Sequence, residues 1–208
     1  MEVESFHHIY PRLKASIIVL LFMTLVFLLI LISINLFGRA FNKLGFPPEY
    51  SVYFLFISLL GSQVNLPVNK IISNIKAEGT TIAVNLGGAV IPVIMSVFLL
   101  TMVNLIDVLI AVLILTIIIH KVARPVKGRG IAIHILFPSF LAGATAFMIS
   151  PQDAPLIAYI SGTIGCLIGV DLLNLKKIPV LGVPAVSIGG AGTFDAIFLT
   201  GIISVLLA

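Results

Sequence analysis

The feature that most constrains this chain is its series of long apolar stretches separated by short polar loops. The first stretch, Ala15 to Phe37, holds 23 residues without a charge. A helix needs about 20 such residues to cross the roughly 30 Å of a bilayer's hydrocarbon core, whereas the apolar part of a cleavable signal peptide is about 7–15 residues long. We therefore expect this stretch to be a retained transmembrane helix.

The composition excludes a soluble domain. Hydrophobic residues make up 60% of the 208 residues, charged residues make up 10%, and the mean hydropathy is +1.23. A soluble domain carries about 25% charged residues, so this chain has too few to cover a water-exposed surface. The net charge of +4 comes from basic residues in short loops, which indicates the lipid bilayer as a partner and no nucleic acid. With a single cysteine and no His/Cys spacing of a metal site, the sequence predicts no metal and no cofactor.

The pattern of apolar stretches predicts an all-α fold, a polytopic transmembrane helical bundle of about seven spans that forms one membrane domain over residues 1–208. The segment before the last helix, Val180 to Gly192, has four glycines and a proline in 13 residues, which predicts a broken or re-entrant segment. The expected spans are 15–37, 50–66, 80–103, 105–120, 131–150, 154–175 and 180–207.

The distribution of lysine and arginine predicts the orientation. Ten of the twelve basic residues fall before the first span or in the even-numbered loops, and two, Arg39 and Lys43, fall on the other side. Because cytoplasmic loops are enriched in Lys and Arg, we expect a multi-pass plasma-membrane protein with a cytoplasmic amino terminus and an external carboxy terminus.

Two acidic residues lie at membrane depth and are candidates for catalysis. Asp171 follows 16 uncharged residues of the sixth span, and Asp195 lies in an otherwise uncharged tail, Ile178 to Ala208. Two carboxylates close together in a low dielectric share one proton, so that one acts as base on a water and the other as acid. Two other interpretations remain open: the aspartates coordinate an ion or substrate, or they cap broken helices and pair with Lys176 or Lys177.

Three polar segments that contain glycine lie at the ends of the spans or within them. Glycine lets backbones approach closely or leave the helix, and Asn and Gln bond across helices. Close helix packing explains the second segment equally well, whereas the glycine density of the third predicts extended backbone beside Asp195. The segments are Gly61-Ser62-Gln63-Val64-Asn65, Asn85-Leu86-Gly87-Gly88 and Ser187-Ile188-Gly189-Gly190-Ala191-Gly192.

These segments, together with Val122-Ala123-Arg124-Pro125, resemble a prokaryotic family of multi-spanning membrane proteins of unknown function. The resemblance covers nearly the whole chain and implies no activity.

The last two spans also resemble presenilin and signal peptide peptidase, the intramembrane aspartyl proteases with a Gly-x-Gly-Asp motif. The resemblance rests on Gly192-Thr193-Phe194-Asp195 and on one aspartate in each of two consecutive spans. Phe194 stands where the family has glycine, and the family's later Pro-Ala-Leu motif is missing. The resemblance implies that Asp171 and Asp195 are the catalytic pair. The residues expected to contact a substrate are Asn85, Pro184, Ser187, Gly189, Gly190 and Gly192.

The sequence therefore predicts an intramembrane aspartyl protease, or an inactive relative, that acts on single-span membrane proteins. An extended segment from Val183 to Gly192 would pair with an unwound substrate strand. Two other hypotheses remain: a small transporter or channel whose broken helices line an ion or solute site, and a non-catalytic scaffold.

Overall fold

A computed structural model of the protein describes residues 2–68, 80–128, 130–134, 136–190 and 196–208. Most of these residues are helical. The sixth helix continues through a π-helical turn (Leu167–Asp171) into a 3-10 helix (Leu172–Leu181). The seven helices in the described ranges are α1 (Glu2–Lys43), α2 (Tyr50–Gly61), α3 (Leu86–Met102, which opens with a π-helical turn, Leu86–Val90), α4 (Leu105–Val122), α5 (Leu136–Ile149), α6 (Ala154–Cys166) and α7 (Ala196–Leu207).

In the part of the chain that the structure describes, five short strands lie between the helices. They form a three-stranded sheet of order β1-β2-β5 and a hairpin of β3 and β4. In the sheet, β2 is antiparallel to β1 and parallel to β5. The strands are β1 (Asn65–Pro67), β2 (Thr81–Asn85), β3 (Arg124–Val126), β4 (Gly130–Ala132) and β5 (Ala185–Ile188).

Helix α6 is the centre of the molecule, since α3, α4, α5 and α7 all pack against it. Ile157, Tyr159 and Ile160 are buried there with α7 residues such as Phe198 and Val205. Small residues let these helices approach closely: a Cβ added at Gly162 would lie 3.0 Å from Thr200 Cγ2. Close contact of backbones through small residues is how helices associate in lipid, where no hydrophobic force drives them together.

Helix α1 lies at the periphery and packs mainly against α2 and α7. From Leu21 to Leu36 its side chains are exposed, apart from a partly buried Val26. An apolar helix exposed on nearly all sides suits a lipid environment.

Three of the helices are long and apolar enough to cross a membrane, which indicates a membrane protein. They are Leu21–Lys43, Leu105–Val122 and Ala154–Ile178, the last including the turns that follow α6. The other four apolar helices, α2, α3, α5 and α7, are shorter. The number of spans therefore stays a prediction.

The all-α prediction is wrong where strands replace the ends of predicted spans. Span 80–103 was expected to be helix throughout, yet residues Thr81–Asn85 form β2, and span 50–66 ends in β1. The physical reason is the Asn85 side chain, which accepts a hydrogen bond from Gly88 N and so starts the helix at Leu86. The preceding backbone pairs with two other strands instead of with itself. The prediction that Val180 to Gly192 is not continuous helix is confirmed for its described part, which contains β5.

Candidate functional site at the three-stranded sheet

The three-stranded sheet brings together the described parts of the three glycine-containing segments that the sequence singles out. In its register Asn65 lies opposite Asn85, and Ala83 lies opposite Ser187. Hydrogen bonds extend the pairing at the start of β2, since Thr81 N donates to Pro184 O at 2.9 Å. Segments more than 100 residues apart in sequence thus converge at one place.

Asn85 is fully buried and uses both ends of its amide. Its Nδ2 donates to Ser62 O at 2.8 Å and to Asn65 Oδ1 at 3.1 Å, and its Oδ1 accepts from Gly88 N at 2.8 Å. The side chain therefore caps α3 and ties its start to the end of α2.

Ser187 joins the same network from β5. Its Oγ donates to Asn65 Oδ1 at 2.6 Å, so this oxygen accepts bonds from both Asn85 and Ser187. Asn85 is buried, Ser187 is partly buried and Asn65 is exposed. The set of Asn65, Asn85 and Ser187, called the polar cluster below, therefore runs from the interior to the surface.

Glycines allow the backbones around the polar cluster to touch. Gly189 has a φ of +65°, and a Cβ there would lie 2.7 Å from Ala89 N and Gly88 C. A Cβ at Gly87 would overlap Ser58 O of α2. No other residue fits at these positions without moving the backbone, so the sheet and the starts of the helices are held at fixed separation.

Of the other predicted substrate-binding residues, Pro184 precedes β5 and Gly190 follows it. Both are exposed, and Gly190 N donates to Ser187 O at 2.9 Å, which closes a turn. Gly192 lies outside the described residues. The structure thus gathers Asn85, Ser187, Gly189 and Gly190 at the end of the sheet where α3 starts, whereas Pro184 lies at the other end, beside Thr81.

Asp171, the first predicted catalytic residue, is the last residue of the π-helical turn after α6 and is partly buried. Close to it, the fully buried Asn174 donates to Val170 O at 2.8 Å and to Gly169 O at 3.1 Å. A π-helical turn leaves carbonyls without their usual helical partners, and such turns are frequent at functional sites. Asn174 satisfies two of these carbonyls and so holds the backbone that carries Asp171.

The partner of Asn174 on its other side is Lys177, whose Nζ donates to Asn174 Oδ1 at 2.7 Å. His120 at the end of α4 places Nδ1 3.3 Å from Gly169 O.

In the described ranges, no group of three or more His, Cys, Asp and Glu side chains is placed to hold a metal ion.

Asp195, the second predicted catalytic residue, lies outside the described residues, but the helix that follows it is described. Helices α6 and α7 run antiparallel, with Gly201 beside Thr163 and Cys166 Sγ donating to Thr200 Oγ1 at 3.5 Å. This register puts Ala196, the first residue of α7, at the same end of the helix pair as the π-helical turn with Asp171.

Sequence reasoning left Asn65, His120 and Asn174 out of the site. For Asn65 a repeated hexapeptide offered a lead, because Val84-Asn85-Leu86-Gly87-Gly88-Ala89 and Val186-Ser187-Ile188-Gly189-Gly190-Ala191 match at four of six positions. Their first residues lie on the parallel strands β2 and β5, and Asn65 of β1, on the other side of β2, bonds to the polar second residue of each copy. Nothing in the local sequence pointed to Asn174, whose partners are backbone carbonyls.

Comparison with known protein families assigns the chain to one of them. The sequence profile of DUF1614, described as a protein family of unknown function, matches residues 49–207. The chain belongs to this family. The DUF1614 match covers α2 to α7 and all the described strands, and therefore the polar cluster and both aspartates, while the whole of α1 precedes it. The expected membership of an uncharacterised family is confirmed over that range.

No curated protein matches the chain. No solved structure matches it either. The resemblance of the last two helices to presenilin and signal peptide peptidase is therefore not supported by these comparisons.

Proposed function

We propose that this protein is an intramembrane aspartyl protease in which Asp171 and Asp195 share a proton and activate a water molecule against a peptide bond. The observation that carries the proposal is an edge strand, β5, which precedes α7 at the end of the α6–α7 pair where Asp171 lies. A protease in lipid needs an acid, a base and a means of holding its substrate extended, and this end of the molecule offers candidates for all three.

The proposed chemistry divides two roles between the carboxyl groups. At a site of low dielectric, two close carboxylates cannot both ionise, so one keeps the proton. The ionised group takes a proton from water, and the hydroxide oxygen forms a bond to the scissile carbonyl carbon. The protonated group gives its proton to the leaving nitrogen as the C–N bond breaks. Proton count and charge are unchanged over the whole reaction.

Strand β5 offers a place for the substrate. Backbone groups of successive strand residues point to opposite sides, and Pro184 O faces β2 because it accepts from Thr81 N. The amide and carbonyl of Ala185 therefore face away from β2, where no strand of the described chain lies. An unwound segment of a single-span membrane protein would bind here by strand addition, with main-chain hydrogen bonds that are favoured where water is scarce.

The proposal includes seven spans with a cytoplasmic amino terminus. Helices α2, α3, α5 and α7 are shorter than the 20 residues or so that a span needs, yet each is flanked by a strand: β1, β2, β4 and β5. A strand rises about 3.3 Å per residue and a helix about 1.5 Å, so α7 and β5 together reach roughly 31 Å, close to the thickness of the hydrocarbon core. We infer that each of these spans consists of a helix and its neighbouring strand, because their summed length supplies what the helix alone lacks.

The test of the proposed activity uses the full chain in lipid vesicles with a panel of tagged single-span substrates. The Asp171→Asn and Asp195→Asn variants should each lower cleavage by about 100-fold or more, because one carboxyl cannot act as both acid and base. The double variant should lose little more, as expected for groups that act as a unit. Asp107→Asn is the matched control. Asp107 lies in the first turn of α4, whereas the last turn of α4, at His120, is the end that lies beside the π-helical turn with Asp171.

Two outcomes would contradict the protease. One is wild-type protein that cleaves no substrate of the panel in several lipid compositions. The other is Asp171→Asn protein that is folded and cleaves as fast as the Asp107→Asn control.

A second candidate function is a solute or ion site, which the polar cluster favours. Asn65, Asn85 and Ser187 meet where α3 starts and where β5 ends, and interrupted helices of this kind bind solutes in transporters. In this case Asn65→Ala should change solute flux in vesicles, while Asp171→Asn protein transports normally. Flux that is unchanged by Asn65→Ala would rule against this candidate.

A further inference from the structure

An open groove lies between α1 and α2 and has two continuous parts. The first part, called the polar part below, has a volume of about 500 Å³ and is lined by four polar side chains, Asn35, Arg39, Asn42 and Glu49, together with the apolar Ile34, Pro48 and Val52. The second has a volume of about 380 Å³ and an almost wholly apolar lining that includes Val26, Leu29, Ile30, Leu55 and Phe56. Ile34 and Val52 line both parts, so the polar part leads directly into the apolar part. Each volume is within the usual range of ligand pockets.

The polar part holds one positive and one negative side chain that are not paired with each other. Within the described ranges, Arg39 and Glu49 form no ion pair, although both line the same cavity. Asn35 Nδ2 is bound to Leu31 O of its own helix, whereas the Asn42 amide is free for a ligand among the described residues. The cavity therefore offers a cation, an anion and an amide to whatever fills it.

The length of the groove matches one leaflet of a bilayer. Val26 and Arg39 are 13 residues apart on a straight helix, which corresponds to roughly 20 Å. Half of the hydrocarbon core is about 15 Å thick, so a molecule with its polar group at Arg39 would extend an apolar chain to about the middle of the membrane. Leu29, Ile30 and Phe56 are more than half exposed along this path and would contact that chain.

We propose that the α1–α2 groove binds a phospholipid whose headgroup carries both a phosphate and an ammonium group, such as phosphatidylethanolamine. Arg39 donates to the phosphate, Glu49 accepts from the ammonium, and one acyl chain lies in the apolar part. An anionic lipid would bring its phosphate to Arg39 but leave Glu49 without a partner and add a like charge beside it. The preference therefore follows from the pair of opposite charges. A second protein helix would not satisfy that pair unless it carried the matching charges at the same depth.

Native mass spectrometry of the full-length protein in detergent tests this proposal. The protein is titrated with dioleoyl phosphatidylethanolamine and, separately, with dioleoyl phosphatidylglycerol, which has the same chains. The wild type should retain the ethanolamine lipid at least about fivefold more tightly, since each charge near a headgroup is worth about 1 kcal/mol. The Arg39→Gln/Glu49→Gln variant should retain both lipids equally. The Arg124→Gln variant, which loses an exposed cation of the β3–β4 hairpin, should behave as the wild type does.

Three results would overturn the proposal. Equal retention of the two lipids by the wild type would show an unselective lipid shell. An unchanged preference in the Arg39→Gln/Glu49→Gln variant would place the selective site elsewhere. Dimers that persist on dilution and are lost with Ile34→Trp, a change where the two parts of the groove meet, would identify a second copy of the chain as the occupant. The comparison of the two lipids on the wild type does not depend on the folding of any variant.

Discussion

The Asn85 side chain joins the three-stranded sheet to the end of α2 and the start of α3. It is the only described residue that bonds to the end of α2, to β1 and to the start of α3, and it is wholly buried. An isosteric carboxylate could not replace it, because Nδ2 donates to Ser62 O and to Asn65 Oδ1 while Oδ1 accepts from Gly88 N. The position needs a side chain that is donor and acceptor at once and carries no charge.

We predict that Asn85→Ala lowers the free energy of unfolding by about 2–3 kcal/mol, because it leaves the buried Gly88 N–H and the Ser62 carbonyl without partners. Asn104→Ala is the matched control. Asn104 also caps a helix, α4, by accepting from Ile106 N, but it is exposed, so its loss should cost about 1 kcal/mol or less. Denaturant unfolding in detergent, followed by circular dichroism, measures both. Equal losses for the two variants would contradict the role given to Asn85.

Gly189 permits a second test at the scale of one residue. Its φ of +65° nearly equals the +66° of Gly182, but a Cβ at Gly189 would be 2.7 Å from Ala89 N, whereas a Cβ at Gly182 would meet nothing within 4 Å. Gly182→Ala should therefore cost only the strain of the left-handed backbone, about 1–2 kcal/mol. Gly189→Ala should cost about 1–3 kcal/mol more for the overlap.

Comparison of the melting curves of the two alanine variants isolates the contact between β5 and the start of α3. If the two variants have the same melting temperature, the contact between β5 and the start of α3 does not contribute to stability.

Among the elements, β5 matters most for the proposed function. It pairs with β2 on one side and offers the backbone groups of Ala185 on the other. The same strand can therefore serve the fold through alternate residues and a ligand through the residues between them.

We predict that Ala185→Pro lowers cleavage of single-span substrates by about tenfold, because it removes one outward N–H that the substrate strand needs. The melting temperature should change little, since that N–H does not pair with β2. Val186→Pro is the matched control: its N–H faces β2, so this variant should lose stability by about 3 kcal/mol. An Ala185→Pro protein that cleaves at the wild-type rate would show that substrates do not bind along β5.

Part of this element structure was predictable from the sequence. Four glycines and Pro184 between Val180 and Gly192 make helix costly, and the segment contains β5. Strand β2 was missed because Thr81 to Val84 lie in a long uncharged stretch, where hydropathy does not distinguish a strand from a helix. What selects the strand is β5, which lies about 100 residues later. The polar cluster was predicted in part, through Asn85 and Ser187, while Asn65 and Asn174 follow from contacts that only the fold creates.

At the scale of the whole molecule, charge is distributed unevenly. The described basic residues Lys121, Arg124, Lys127, Lys176 and Lys177 are exposed on the β3–β4 hairpin and the neighbouring ends of α4 and of the 3-10 helix. The hairpin is fastened to that helix, since Gly128 N donates to Leu181 O at 2.9 Å. Such a surface suits the anionic cytoplasmic leaflet.

We predict that a cysteine at position 127 is labelled by a membrane-impermeant maleimide only after cells are opened, because the proposed orientation places the basic surface in the cytoplasm. A cysteine at position 47, an exposed loop residue between α1 and α2, should be labelled in intact cells. The native Cys166 is buried and should give little background. Labelling of position 127 from outside intact cells would reverse the proposed orientation.

The shortness of four helices has a consequence for the membrane itself. The helical lengths of α2, α3, α5 and α7 correspond to about 18–26 Å, less than the 30 Å of an average hydrocarbon core. In the proposed seven-span arrangement strands complete the distance, but their exposed backbone does not tolerate lipid tails. If these helices do span, the bilayer has to become thinner on this side, at a cost of fractions of a kcal/mol per ångström. A local depression of the membrane surface would bring bulk water toward the edge strand and Asp171, so the lipid chain length becomes a determinant of how easily water enters the protein.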